Sequence, residues 1–188
     1  MRLRERSGLG VDALTDAREL DAQGHMSTVY RATYHGAPAV VKVAERDART
    51  EREVRLMRAM GEASVGPRVL HVAHRRGVAV VVMDALDGTL EAWLASNPPA
   101  AERAAARRSV RTLFARMHAL GLAHADVHAA NVMYQAGPRR RWYLIDYGWA
   151  HGMRGSRHFP RWPDVDYPIG EAGDYDDDLE AWLEETFS

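Results

Sequence analysis

The sequence predicts an α+β fold in two parts, a β-rich first part with one helix and a helical second part. Three observations predict it. Residues 20–44 are rich in Val, Thr and Tyr and residues 68–84 are rich in Val, and glycines interrupt both stretches as they do between strands. Residues 50–60 place apolar side chains at helical spacing among Arg and Glu. Beyond residue 88 the apolar residues follow a helical period. We place the domain boundary between residues 86 and 87.

In the first part, residues 20–44 predict three strands, joined by a loop at Gly24 and a hairpin turn at His35-Gly36. Lys42 then lies on the third strand. An amphipathic helix is predicted over residues 50–60, and Gly61 is expected to end it. Two further strands are predicted at residues 68–74 and 77–84.

In the second part, a helix is predicted over residues 89–96. A long helix follows Pro98-Pro99, with one apolar stripe made of Val110, Leu113, Phe114, Met117 and Leu120. Short strands are predicted at residues 132–135 and 142–146. Residues 149–173 lack periodicity and predict a long loop, and residues 176–187 predict a last helix.

The bulk properties exclude several classes of protein. The 188 residues are 46% hydrophobic, enough to bury a core, and their net charge of −1 gives no global field for nucleic acid or an acidic membrane. No cysteine is present, which excludes disulfides and thiolate zinc sites. The basic opening segment lacks the apolar stretch of a signal peptide, and the apolar run at residues 78–83 is too short to span a bilayer. We expect a soluble intracellular protein without a membrane partner.

Lys42 is the only lysine, whereas the chain has 24 arginines. Arginine forks its donors in a plane, whereas lysine delivers one compact ammonium on a flexible stem. A site that needs a point charge cannot exchange the two residues. Lys42 is therefore a candidate functional residue.

Two further stretches carry chemistry, HADVHAANVMY at residues 124–134 and YLIDYGWA at residues 143–150. Together with Lys42 they resemble the signature set of the protein kinases: a lysine on the third strand, a catalytic loop with Asp and Asn five apart, and an Asp-aromatic-Gly metal loop. The resemblance implies a two-lobed kinase-like fold with a cleft for ATP. Residues 1–86 would form the β-rich N-lobe and residues 87–188 a truncated helical C-lobe.

The resemblance implies a role for each charged residue. Lys42 would hold the α- and β-phosphates of ATP, steadied by an ion pair from the following helix. Glu53 is preferred over Glu51 for this pair, because Met57, one turn after Glu53, then faces the interior. Asp126 would orient the acceptor hydroxyl. Mg²⁺ or Mn²⁺ would be held by the remaining two residues, Asn131 and Asp146.

The same resemblance implies the nucleotide contacts. The three glycine positions of the phosphate loop fall on Ala22, Gly24 and Ser27, so only the central glycine is kept. The base would contact side chains and the connecting backbone, at Val29, Val40, Met83, Asp84, Leu86 and Met133.

Two features relate the chain to particular groups of kinases. His128, two residues after Asp126, completes an HxDxHxxN pattern similar to the aminoglycoside and choline phosphotransferases, and could donate a hydrogen bond to the γ-phosphate. The tyrosine in DYG and the text at residues 169–183, with Asp178 as the aspartate that ties a helix to the catalytic loop, are similar to the vaccinia-related and casein kinases. From the second likeness, and from the end of the sequence soon after, we expect a minimal kinase of viral type.

The resulting prediction is an ATP- and Mg²⁺-dependent kinase acting on Ser or Thr of a protein. The alternatives are a small-molecule kinase, favoured by His128, and a pseudokinase that only binds, favoured by the eroded glycine loop. His124, Asp126 and His128 alternate and could instead form a metal-hydrolase site. The PRRRW text at residues 138–142 could contact nucleic acid, but a solvated turn is the simpler interpretation.

Overall fold

The computed structural model describes residues 11, 13–20, 27–75, 77–152 and 179–188. Its contacts divide the chain into two compact units. One holds the described residues up to Gly61 together with Pro67–Ala85, and the other holds Glu62–Gly66 together with Leu86–Ser188. The first unit is a sheet with one helix and the second carries the remaining helices. The α+β fold class predicted from the sequence is confirmed.

The first unit is built on a five-stranded antiparallel sheet in the order β1-β2-β3-β5-β4. Its strands are β1 Leu14–Glu19, β2 Ser27–Tyr34, β3 Ala37–Glu45, β4 Val69–Arg75 and β5 Val78–Asp84. The first strand therefore lies before residue 20, whereas all three strands were predicted within residues 20–44. The LTDARE text of β1 has no apolar alternation, because this edge strand is mostly exposed.

Alternation along β3 decides which way Lys42 faces. Val41 and Val43 are buried, and they pair with Val82 and Val80 of β5 in one hydrophobic core. Because successive side chains of a strand point to opposite faces, Lys42 lies on the other face of the sheet, the same face as Val40.

Helix α1 covers Ala48–Glu62 and buries an apolar stripe that includes Met57 and Met60. Its first turn is capped by Asp47, whose Oδ1 accepts a hydrogen bond from the Thr50 N–H at 2.7 Å. This bond lowers the pKa of the Asp47 carboxyl. Gly61 was expected to end the helix, but it lies within the last turn. The glycine is needed there for space, since a Cβ would come within 2.9 Å of the Pro67 carbonyl oxygen.

The helices of the second unit pack around two small sheets. Helix α2 covers Leu90–Ala95, α3 covers Ala100–Ala119 and α4 covers Leu179–Phe187. One sheet has the order β6-β8-β9 and the other pairs β7 with β10. These strands are β6 Gly88–Thr89, β7 Leu122–Ala123, β8 Val132–Gln135, β9 Arg141–Leu144 and β10 His151–Gly152.

Helix α3 carries the predicted apolar stripe, with Val110, Leu113, Phe114 and Met117 buried, whereas Leu120 follows its last residue as the C-cap. In the described part of the chain, no helix combines the length and the apolar character needed to cross a bilayer.

Several predictions fall outside the described residues. These are the glycine-loop positions Ala22 and Gly24, the residues 153–173 of the long loop, and Asp178 with the start of the last helix. The division into two functional lobes at residues 86 and 87 stays a prediction.

Candidate active site

The first group of candidate residues lies on β3 and α1. Lys42 Nζ donates a hydrogen bond to Glu53 Oε1 at 2.5 Å, and the two side chains are only 20% and 14% exposed. Lys42 pairs with Val29 on β2 and with Val81 on β5, so its backbone is fixed in the middle of the sheet. The ion pair in turn fixes the ammonium, which makes it a positioned point charge.

Glu51, the competing glutamate, has other partners. Its Oε1 accepts from Arg46 Nε at 2.5 Å and lies 3.1 Å from His74 Nδ1. The hydrogen bond from Arg46 lowers the pKa of the Glu51 carboxyl, and the neighbouring His74 adds to the effect. The structure therefore gives the two glutamates separate tasks. It brings Lys42 to Glu53, as expected from the inward direction of Met57.

The second group lies on the loop between β7 and β8. Asn131 closes a short 3-10 helix, Ala129–Asn131, and its Nδ2 donates to both the backbone oxygen of Asp126, at 3.0 Å, and Asp126 Oδ2, at 2.9 Å. Asn131 is buried, with 7% exposure. Because the Asn131 amide makes both of these hydrogen bonds, it holds the Asp126 carboxylate in one orientation, although the two residues are five positions apart.

Asp146 is brought beside this loop by strand pairing. Val132 pairs with Leu144 across β8 and β9, and the Ile145 N–H donates to the Asn131 carbonyl at 2.9 Å. The ladder therefore places Asp146 next to the Asp126–Asn131 pair. Asp146 has a φ of 61° and Ala125 a φ of 60°. Non-glycine residues held in this region store backbone strain, which tends to collect at functional sites.

Two buried aromatic residues, His124 and Tyr147, pack against each other and bond to the backbone of these loops. His124, only 1% exposed, has its Nε2 3.0 Å from the Ile145 carbonyl oxygen and packs its ring against Phe114 and Tyr147. The Tyr147 hydroxyl donates to the Leu144 carbonyl at 2.7 Å, and burial raises the pKa of this hydroxyl. The loop that carries Asp126 and the turn that begins at Asp146 thus pack against the same buried rings. The sequence singles out Tyr147 only as the tyrosine of the DYG motif, because nothing in the neighbouring sequence predicts that its side chain is buried.

The alternative of a metal-hydrolase site is not supported. His128 Nε2 lies 3.6 Å from Asp126 Oδ2 on the exposed side of the loop, whereas His124 is buried against the Ile145 backbone. Across the described ranges, no group of three or more His, Cys, Asp or Glu residues could hold a metal ion. His124, the first residue of the alternating set, therefore has a structural role that needs no metal.

The predicted nucleotide contacts fall in both units. Val40 pairs with Met83 across β3 and β5, and Val29 pairs with Lys42, so these side chains adjoin the ion pair on the sheet. The Asp84 N–H donates to the carbonyl of Arg68, the residue before β4, at 3.0 Å, so this donor is already used and is not available to the base. The second unit holds the other two contacts, Leu86 and Met133.

The oxygen atoms of the second group suit magnesium. The nitrogen of the Asn131 amide is turned to Asp126, so the amide oxygen is the atom that can bind a cation. Asp146 is exposed and adds a carboxylate, one of whose oxygens lies 3.4 Å from the Gly148 N–H. Mg²⁺ prefers oxygen ligands and usually takes only one or two from the protein, the rest coming from water and phosphates. Asn131 and Asp146 fit that requirement.

Comparison with known proteins identifies the family. No curated protein shows a significant match to the chain. Residues 18–159 match the family described as the lipopolysaccharide kinase (Kdo/WaaP) family. This segment contains every charged residue of both groups. The match confirms a kinase-type protein, but gives no support to the vaccinia-related and casein kinase groups or to a viral origin. Because it covers more than half of the sequence, the chain belongs to the lipopolysaccharide kinase (Kdo/WaaP) family.

Proposed function

We propose that the chain is an ATP- and Mg²⁺-dependent phosphotransferase whose acceptor is a hydroxyl group on a lipopolysaccharide-type sugar. The observation that carries this proposal is the Asp126–Asn131 pair, held beside Asp146 within a segment that matches a lipopolysaccharide kinase family. Phosphoryl transfer asks a protein mainly to position the reactants and to neutralise charge. Both tasks have residues of the right type here.

Lys42 binds the α- and β-phosphates of ATP in this proposal. The Glu53 carboxylate, 2.5 Å away, keeps the ammonium in place before the nucleotide arrives. A preset charge reduces the reorganisation that binding would otherwise require. Val29, Val40 and Met83 adjoin this position on the sheet and offer apolar contacts to the base.

Asn131 and Asp146 would hold the magnesium ion. When bound, Mg²⁺ supplies positive charge against the β- and γ-phosphates and helps to orient them. Two hydrogen bonds to Asp126 hold the Asn131 side chain without help from the cation, and Asp146 has a left-handed backbone conformation. The Gly148 N–H further restricts the Asp146 carboxylate.

Asp126 receives the acceptor. Its carboxylate accepts a hydrogen bond from the sugar hydroxyl and takes the proton as the new P–O bond forms. The bond between the γ-phosphorus and the bridging oxygen breaks, and ADP leaves with that oxygen. His128, near Asp126 and 48% exposed on its side chain, is placed to donate a hydrogen bond to the transferred phosphoryl group.

The sugar acceptor replaces the Ser or Thr hydroxyl predicted from the sequence. The family description favours it, and so does the HxDxHxxN pattern, whose likeness was to kinases of small molecules. A pseudokinase is the less economical alternative, because Lys42, Glu53, Asp126, Asn131 and Asp146 are all present.

The test is transfer of label from [γ-³²P]ATP with Mg²⁺ to one of three acceptors: deacylated Kdo-containing lipopolysaccharide, intact lipopolysaccharide and a generic basic protein. We expect the sugars to be labelled and Asp126→Asn to lose the labelling. Labelling of the protein alone would restore the Ser/Thr prediction. Binding of ATP without any transfer would leave the pseudokinase, and labelling that persists in Asp126→Asn would remove this residue from its role.

A further inference from the structure

Trp149 is an exposed aromatic side chain in an otherwise buried turn. Its side chain is 54% exposed, the largest value among the exposed large hydrophobic residues of the described chain. Gly148 and Ala150 on either side are buried, with Ala150 completely so. The turn therefore places the indole outward, although a buried position would normally be favoured for so large an apolar group.

The backbone of this turn is fixed at both ends. On one side Tyr147 is buried and bonded through its hydroxyl, and the Ala150 N–H donates to the Tyr147 carbonyl at 3.2 Å. On the other side His151 pairs with Ala123 in the two-stranded sheet of β7 and β10. An exposed aromatic ring on a fixed backbone loses little entropy when a ligand contacts it.

The same anchors tie the turn that carries Trp149 to the loop that carries Asp126. Strand β7 leads directly into the loop that carries Asp126, and β10 is paired with it. The other end of the turn begins at Asp146, next to the carbonyl of Asn131. Trp149 thus belongs to a short segment tied on both sides to the residues that would perform the transfer.

The chemistry of a pyranose matches such a ring. One face of the sugar ring presents C–H groups and is apolar, whereas its hydroxyls point outward from the rim. An indole supplies a large, rigid, apolar face and one N–H donor. A sugar stacked on the indole therefore keeps its hydroxyls free to reach a neighbouring carboxylate.

We propose that Trp149 is the platform on which the acceptor sugar ring stacks while one of its hydroxyls reaches Asp126. The inference rests on the proposed function, because it names the subsite that holds the acceptor. It also assigns Trp149 to recognition of the sugar and leaves nucleotide binding to the residues already described.

The first test separates acceptor binding from nucleotide binding. Trp149→Ala should raise KM for deacylated Kdo-containing lipopolysaccharide by about tenfold, which corresponds to ~1.4 kcal/mol, while KM for ATP stays unchanged. Trp149→Phe should recover most of the loss because it restores an aromatic face. Equal acceptor KM values for the alanine variant and the native chain would overturn the proposal.

The second test does not depend on turnover. Acrylamide quenching of tryptophan fluorescence should fall when the deacylated lipopolysaccharide is added, because the sugar covers the exposed indole. Trp149→Phe should abolish this protection. The matched variant Trp182→Phe should keep it, since Trp182 lies on α4 against Phe114, with ring centroids 6.1 Å apart.

The two tests distinguish the two proposals. Protection of Trp149 without phosphate transfer would support the sugar platform and overturn the transfer reaction. Transfer without protection, with an unchanged acceptor KM in Trp149→Ala, would support the reaction and overturn the platform. Protection by the basic protein and not by the sugar would also overturn it.

Discussion

Asn131→Asp should destabilise the protein because it reverses the role of a buried hydrogen-bond donor. Asn131 Nδ2 donates to the Asp126 backbone oxygen at 3.0 Å and to Asp126 Oδ2 at 2.9 Å. The aspartate has the same shape but cannot donate at neutral pH. Losing a hydrogen bond to a charged group costs about 1.5–3 kcal/mol, and losing one to a carbonyl costs roughly 1 kcal/mol.

Repulsion adds to this loss. Two carboxylate oxygens separated by about the same distance as the present bond repel by about 1.4 kcal/mol even at the dielectric constant of water. The Asp126 side chain is 35% exposed, so water replaces part of what is lost. We expect a net loss of about 2–4 kcal/mol, which lowers Tm by roughly 5–15 °C for a chain of this size.

The assay is thermal unfolding at neutral pH, followed by circular dichroism, with two controls. Asn131→Ala removes the donor without adding charge, so it should lose less. Asn97→Asp makes the same chemical change at the only other asparagine, which is exposed, and should leave Tm within about 2 °C. A Tm for Asn131→Asp as high as that of Asn97→Asp would refute the reasoning.

Three further predictions follow from the first unit. Gly61→Ala should lower the free energy of unfolding, measured by denaturation, by about 1–3 kcal/mol. Alanine favours helices, but its Cβ would come within 2.9 Å of the Pro67 carbonyl oxygen. The control Gly137→Ala should be tolerated in the same assay, because the nearest neighbour of its Cβ would be 3.9 Å away. Glu51→Gln should cost at most about 1 kcal/mol at pH 7, since Arg46 is half exposed. Because folding lowers the pKa of Glu51, this residue contributes stability above the ordinary glutamate pKa, and the contribution is lost as pH falls. In a plot of Tm against pH, Glu51→Gln should therefore lose less Tm at acid pH than the native chain does. An equal loss of Tm at acid pH would exclude the contribution. Lys42→Arg should keep Tm within a few degrees but lower phosphate transfer by about 10²-fold or more, since a guanidinium cannot reproduce the compact ammonium; retained transfer would remove the need for a lysine.

The elements with a clear period were predictable. Strands β2, β3 and β5 alternate or run apolar, and α1 and α3 repeat their apolar residues at helical spacing. Strand β1 was missed because an exposed edge strand has no apolar face to reveal it. The two-residue strands β6, β7 and β10 are too short to form any pattern. The sequence predicts Gly61 as a helix end, whereas a glycine is required there because a Cβ would come too close to the Pro67 carbonyl oxygen. The local sequence pattern gives no sign of this approach.

The sequence also predicts one part of the candidate site and not the other. Lys42, Asp126, Asn131 and Asp146 carry chemistry in their side chains, so their spacing could indicate a kinase. The choice of Glu53 over Glu51 followed from the inward direction of Met57, and the geometry has the same pairing. What spacing could not predict is exposure. Trp149 stands out only because its neighbours are buried, which depends on tertiary packing of the whole turn.

The most direct measurement of the central claim is ³¹P NMR of a reaction that contains the protein, Mg²⁺, ATP and deacylated Kdo-containing lipopolysaccharide. The account predicts a new sugar phosphomonoester resonance that grows in equal amount with ADP, and its absence with Asp126→Asn. Formation of inorganic phosphate alone, or of a sugar phosphate at the same rate with the asparagine variant, would contradict it.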